Sequence, residues 1–201
     1  MNHLYEQLTA LKLTGFRDAL KKQLAQPGTY QELGFEERLS LLTAEELTCR
    51  ENRKAERLIK HARFRLNAEL SKLDYRNNRG LDRALIRSLS QGNWLTLKQN
   101  ILLTGATGSG KTFLACALGH NACRQGYKVY YYRLKALMEQ CYQGHADGRY
   151  SKLLTRLNNS DLLLLDDWGL EPLSSEQRSD LLEIVDLMYQ RGSIIVVTGT
   201  K

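Results

Sequence analysis

The chain has 201 residues, 42% apolar and 25% charged, which is ordinary for a globular fold and leaves enough apolar material for a sizeable core. No run approaches the roughly 20 apolar residues of a membrane span. The start, Met1-Asn2-His3-Leu4-Tyr5, lacks the basic-then-apolar order of a secretory signal, so the sequence predicts a cytoplasmic protein. The net charge of +7 is uneven: residues 1–100 hold 18 Lys and Arg against 12 Asp and Glu, and residues 101–201 hold 11 against 10. That asymmetry implies two jobs on one chain.

Taken in chain order, residues 3–24 predict two short amphipathic helices. Leu4, Leu8 and Leu11 form one stripe, Phe16, Ala19, Leu20 and Leu24 the next, with a break at Gly15. Pro27-Gly28 ends the pair. A third helix is expected from Phe35 and a longer one from Ala44 to Leu66. Residues 67–80 read as irregular, with Asn77-Asn78-Arg79-Gly80 as a turn. A helix follows over Asp82–Ser90, closed near Gly92. After Asn100 the pattern changes. Strands are expected at 101–104, 129–132, 162–165 and 194–197. Helices are expected at 111–124, 134–142, 149–158 and 174–190, the middle two separated by Gly144 and Gly148. Alternating strands and helices imply a three-layer α/β/α fold on a parallel sheet, behind an all-helical N-terminal part. The expected division is 1–66 helical, 67–98 linking, and 99–201 the α/β core. Cys49, Cys116, Cys123 and Cys141 include no C-x-x-C pair and read as reduced thiols. Cys116 and Cys123 share one inward helix face.

Between the first two strands lies Gly105-Ala106-Thr107-Gly108-Ser109-Gly110-Lys111-Thr112, a G-x-x-x-x-G-K-T loop followed by Phe113. Its glycines let the backbone curl round an anion, turning N–H groups into a concave positive nest. The helix beginning at Lys111 adds its positive end. Lys111 is expected to reach the β- and γ-phosphates of ATP, and the Thr112 hydroxyl to bind Mg²⁺. The apolar run Leu162-Leu163-Leu164-Leu165 ends in Asp166-Asp167. Asp166 is the candidate Mg²⁺ ligand and Asp167 the candidate group that polarises the attacking water. One strand in sequence between these motifs fits the additional-strand branch of P-loop ATPases. In that branch a polar strand-end residue senses the γ-phosphate; Thr198 is the candidate, with an ordinary strand-end threonine as the alternative. Small-molecule kinases rarely present an apolar strand ending in Asp-Asp.

From Arg50 to Arg87 run twelve cations against five acids. At about 100° per residue, Arg50, Arg53, Lys54, Arg57 and Lys60 share one helix face. Ala55, Leu58, Ile59, Ala62 and Leu66 fall on the other. Such a stripe suits the phosphates of duplex DNA with little base recognition; a plain solvated face is the competing reading. Strand tyrosines alternate between faces, so packing accounts for most of Tyr130, Tyr131 and Tyr132.

The chain resembles the IstB-like transposition-helper ATPases of insertion sequences, kin of the DnaC-type helicase loaders. The resemblance rests on Leu13-Thr14-Gly15-Phe16, Phe35-Glu36-Glu37-Arg38-Leu39, Arg50-Glu51-Asn52-Arg53, Asp74-Tyr75-Arg76, Arg79-Gly80-Leu81-Asp82, Asn100–Leu118 and Asp161–Gly169. It implies an AAA+ core behind a small helical domain, ATP-dependent assembly into a homo-oligomer on DNA, and stimulation of a partner transposase. It also implies that Tyr75–Leu81 lines the adenine pocket. The family continues past the fourth strand with a further strand, helices and an arginine that reaches a neighbour's ATP. This sequence ends at Thr198-Gly199-Thr200-Lys201, so no residue here is assigned that role. A helicase loader and an ATP-binding DNA scaffold with little hydrolysis remain as alternatives.

Overall fold

A computed structural model describes residues 2–75 and 81–199. The chain divides into two compact units, Met1–Ala55 and Glu56–Lys201.

The first unit is helical: α1 (Asn2–Ala10), α2 (Thr14–Ala25), α3 (Pro27–Tyr30) and the opening turns of α4 (Phe35–Ala62). The break between the first two helices falls earlier than the sequence predicts. It comes at Leu11–Leu13, where Lys12 turns to φ 58°, and Gly15 lies inside α2. Gly15 serves a close approach instead, because a Cβ there would stand 2.7 Å from the Cys49 Cβ and 3.0 Å from the Glu45 carbonyl oxygen. Beside it, the buried Glu46 carboxylate accepts from the Phe16 N–H at 3.0 Å and from Arg50 Nε at 2.7 Å. Pro27 opens α3, where its missing N–H costs nothing. The two helices expected from Phe35 and Ala44 are one helix of 28 residues. No Gly or Pro interrupts residues 35–62, so nothing forces a stop. Glu36 and Glu37 in the first turn and Lys60 and His61 in the last suit its dipole.

In the second unit a 3-10 turn at Leu70–Lys72 lies within the stretch expected to be irregular. The turn expected at Asn77–Gly80 lies outside the described residues. Asp82 caps α5 (Arg83–Ser90), accepting the Ala84 N–H at 2.8 Å. Gly92 takes φ 82°, and α6 (Asn93–Thr96) follows, a turn of helix without a sequence signal. Then come β1 (Ile101–Leu103), α7 (Lys111–Arg124), β2 (Val129–Arg133), α8 (Leu134–Asp147), α9 (Tyr150–Asn158), β3 (Leu162–Trp168), α10 (Ser175–Met188) and β4 (Ser193–Thr198). Gly144 does not end α8. It sits within that helix, where a Cβ would stand 3.0 Å from the Tyr150 backbone, and the lack of one lets α9 fold back closely.

All four strands are parallel, in the order β1-β4-β3-β2. The strand of the paired aspartates is therefore separated from the phosphate-loop strand by one inserted strand. Successive leucines of β3 face opposite layers. Leu162 and Leu164 pack with Cys116, Leu118 and Cys123 of α7, and Leu163 and Leu165 pack with Leu137, Leu157 and Ile184 of α8, α9 and α10. A strand covered on both faces reads as a continuous apolar run, which is why this one does. Each of the four leucines is fully buried, worth about 1.5–3 kcal/mol apiece before packing costs. Burial pushes the Cys123 thiol up to about 12, as it does Cys141, so these thiols stay protonated and act as small apolar groups. This covered sheet fixes the carboxyl ends of β1, β3 and β4 at one rim, where the site lies. Among the described residues no helix is long and apolar enough to cross a membrane.

Candidate nucleotide-binding site

The loop after β1 winds through three glycines with positive φ: Gly105 at 147°, Gly108 at 82° and Gly110 at 92°. A side chain at any of them would be strained. Gly110 is also the N-cap of α7, and no side chain caps that helix. Its first N–H groups therefore remain available to an anion. Lys111 folds back across the loop and donates from Nζ to the Gly105 and Ala106 carbonyl oxygens, each at 2.7 Å. The curl, the free helix start and the ammonium group together have the shape and charge of a phosphate cradle.

Thr112 Oγ1 donates to Asp166 Oδ1 at 3.2 Å, across 54 positions of sequence. Asp166 is 1% exposed. Its Oδ1 also accepts the Asp167 N–H at 2.8 Å, and its Oδ2 accepts the Tyr131 hydroxyl at 2.6 Å. A buried carboxylate needs such donors to offset lost hydration. A hydroxyl and a carboxylate oxygen meeting beside a phosphate cradle form a donor set suited to a hard divalent cation. Burial first, and then the bond to Asp166, push the Tyr131 phenol well above its usual range. It remains a neutral donor.

The register between β3 and β4 shifts between Leu165 and Trp168. Within that bulge Asp167 takes φ 58°. Bulges re-aim side chains in this way. The Asp167 carboxylate points to Arg133 Nε at 2.5 Å and lies 3.8 Å from an Arg65 guanidinium nitrogen. That hydrogen bond, and then the Asp167 charge, hold Arg133 above its ordinary value.

Thr198 ends β4 opposite Trp168, with its Oγ1 3.9 Å from where a Gly169 Cβ would stand. At the next residue, a Cβ on Gly199 would be 3.6 Å from Thr107 Oγ1, so the tip of β4 borders the loop. Phe113 is half-buried against the core. With Leu81, Leu102, Ser109 and Lys111 it lines a cleft of about 610 Å³ that opens beside the cradle. Of the expected adenine-pocket segment, Tyr75 and Leu81 pack against the core, and residues 76–80 lie outside the described residues.

Three residues of this rim carry no motif of their own: Tyr131, Arg133 and Arg65. Tyr131 and Arg133 are alternate residues of β2, and β2 runs one residue beyond its expected end at Tyr132. Local sequence carries no signal for these two; they meet the aspartates because β2 pairs with β3 in parallel, so the two tips lie side by side. On α4, Arg50, Arg53, Lys54, Arg57 and Lys60 are all exposed. Arg50 pairs with Glu46, and Arg53 donates to Thr14. Leu66, expected on the apolar face, lies past the end of the helix and is exposed.

The family described as IstB-like ATP binding protein matches residues 6–201. A relative from Pseudomonas fluorescens, named for ATP binding in insertion sequence IS1162, is 46% identical over 92% of this chain and 80% of its own. Another from Sinorhizobium fredii, also named as an insertion-sequence ATP-binding protein, is 40% identical over 96% of this chain and 78% of its own. Among solved structures, the DnaC helicase loader superposes with a TM-score of 0.59 at 28% identity, covering 67% of this chain and 78% of that one. AMPPCP-bound DnaA from Aquifex aeolicus has a TM-score of 0.61 at 22% identity, a likeness of fold, over 69% of this chain and 43% of that one.

The inserted-strand sheet and its phosphate cradle define a P-loop protein of the AAA+ class. Within that class, this chain belongs to the IstB-like ATP-binding family of insertion sequences.

Proposed function

We propose that the chain is an ATP-switched DNA-binding transposition helper. It assembles on target duplex in its ATP state, stimulates a partner transposase, and is released when ATP is hydrolysed. The observation that carries this reading is the Thr112–Asp166 hydrogen bond, which joins the phosphate loop to the paired-aspartate strand.

In this account the N–H groups of residues 105–112 and Lys111 hold the β- and γ-phosphates. Thr112 and Asp166 hold Mg²⁺, whose charge offsets that of the phosphates. Asp167 accepts from the attacking water, and Thr198 reports on the γ-phosphate. The exposed α4 cations lie along the DNA backbone. Positive charge of this kind neutralises phosphates and releases counterions, so affinity falls with salt.

Sizing the protein with duplex DNA, with and without ATP, tests the proposal. Large complexes are expected when both are present, and equal sizes in the two conditions would refute the switch. Replacing Arg53, Lys54 and Arg57 together by alanine is expected to weaken binding for every sequence. The slope of log affinity against log salt falls by about 0.9 for each phosphate that is no longer neutralised. An unchanged slope in DNA titrations would remove α4 from the interface.

Two other readings have support. The DnaC likeness favours a helicase loader, which would bind a helicase and prefer single strands. The pairing of Asp167 with Arg133 favours a scaffold that hydrolyses slowly.

A further inference from the structure

We infer that Tyr131 is a positioning residue that aims the Asp166 carboxylate at the cation of the bound nucleotide. This rests on the nucleotide reading above.

Tyr131 lies on β2 opposite Leu164 and is 8% exposed. Its side chain enters the layer of Ala115, Cys116, Leu162 and Val197. Phenylalanine would fill that space equally well, and burying a phenol oxygen there is unfavourable unless it finds a partner. The partner is Asp166 Oδ2, at 2.6 Å. The flanking tyrosines do something different. Tyr130 and Tyr132 pack in the opposite layer, each with Arg156 near its ring at 5.9 and 6.0 Å.

The consequence is a division of labour between the two carboxylate oxygens. Oδ2 is committed to Tyr131. Oδ1 faces Thr112, the hydroxyl at the head of α7, and also takes the Asp167 N–H. With Oδ2 tied down, the carboxylate cannot rotate about its last torsion, and Oδ1 stays turned toward the cradle. Groups that hold a ligand in this way raise metal affinity about 10- to 100-fold.

The test uses Tyr131→Phe in the full chain, read by binding of a fluorescent ATP analogue rather than by turnover. Without magnesium, the analogue's affinity is expected to match the parent. The Mg²⁺ concentration giving half of the magnesium-dependent gain in affinity is expected to rise about tenfold or more. A residue that merely filled space would lower the melting temperature and leave that midpoint in place, and this result would overturn the inference. Should Tyr131→Phe alone not fold, the same change is made on Asp166→Ala, where no buried acceptor is orphaned. There it is expected to leave the analogue's affinity with magnesium where Asp166→Ala alone puts it, and a further loss overturns the inference. The parent and Asp166→Ala proteins separate the two failures. If the parent gains nothing from magnesium, or Asp166→Ala keeps the full gain, the nucleotide reading fails. If Asp166→Ala loses the gain and Tyr131→Phe does not, the role of Tyr131 alone fails.

Discussion

Replacing Lys111 with alanine is expected to abolish ATP binding while leaving the fold intact. Its ammonium group rests on the Gly105 and Ala106 carbonyl oxygens at 2.7 Å, which hold it over the cradle and contribute little elsewhere. When a triphosphate arrives, the ammonium exchanges those neutral acceptors for charged oxygens. Charge-assisted hydrogen bonds are worth about 1.5–3 kcal/mol each. Losing two of them raises the dissociation constant by about 10²- to 10⁴-fold. Titration with a fluorescent ATP analogue reads that change, and a thermal melt without nucleotide checks that the fold survives. Assembly on DNA in the presence of ATP is expected to vanish with binding. A variant that bound ATP like the parent would show that the glycine loop is not where the nucleotide sits.

The parts of this molecule legible in its sequence are those set by local periodicity and by contiguous motifs. Leu162–Leu165 reads as a strand buried on both faces, and it is one. The glycine loop, with a strand before it and a helix after, lies where its spacing predicts. Glycine fails as punctuation at two positions. Gly15 and Gly144 both sit inside helices, because a neighbouring backbone or Cβ passes too close for a side chain. Nothing local distinguishes a glycine that ends a helix from one that lets another element approach. Phe35–Ala62 is one helix because no breaker interrupts it, and the absence of a breaker is a weaker local signal than a cap. The partners of the two aspartates leave no mark in the local sequence. Tyr131 and Arg133 meet Asp166 and Asp167 through the pairing of β2 with β3. Arg65 reaches Asp167 from a segment just past α4. Those meetings are set by strand order, which no residue spacing encodes.

Arg133→Ala is expected to raise basal ATP hydrolysis. A general base must offer a lone pair to the proton it takes, and Asp167 has an oxygen committed to Arg133 Nε at 2.5 Å, with Arg65 at 3.8 Å. The Arg133 side chain is 57% exposed and that of Asp167 21%. An ion pair so open to water is worth about 0–1 kcal/mol. It therefore holds Asp167 in its resting orientation without locking it there. General-base catalysis contributes about 10²- to 10⁴-fold to a rate, but freeing Asp167 returns no more than the pair is worth, so the variant's rate is expected to rise by up to about fivefold. Phosphate release measured without DNA reads the effect. Adding Asp167→Asn to Arg133→Ala is expected to take the rate below the parent's, because the base itself is then gone. The scaffold reading gives the opposite result: if Asp167 never serves as a base, freeing it changes nothing, and both variants hydrolyse ATP at the parent's rate. The pair of measurements thus decides whether the arginines at this rim restrain a working base or simply neutralise a carboxylate.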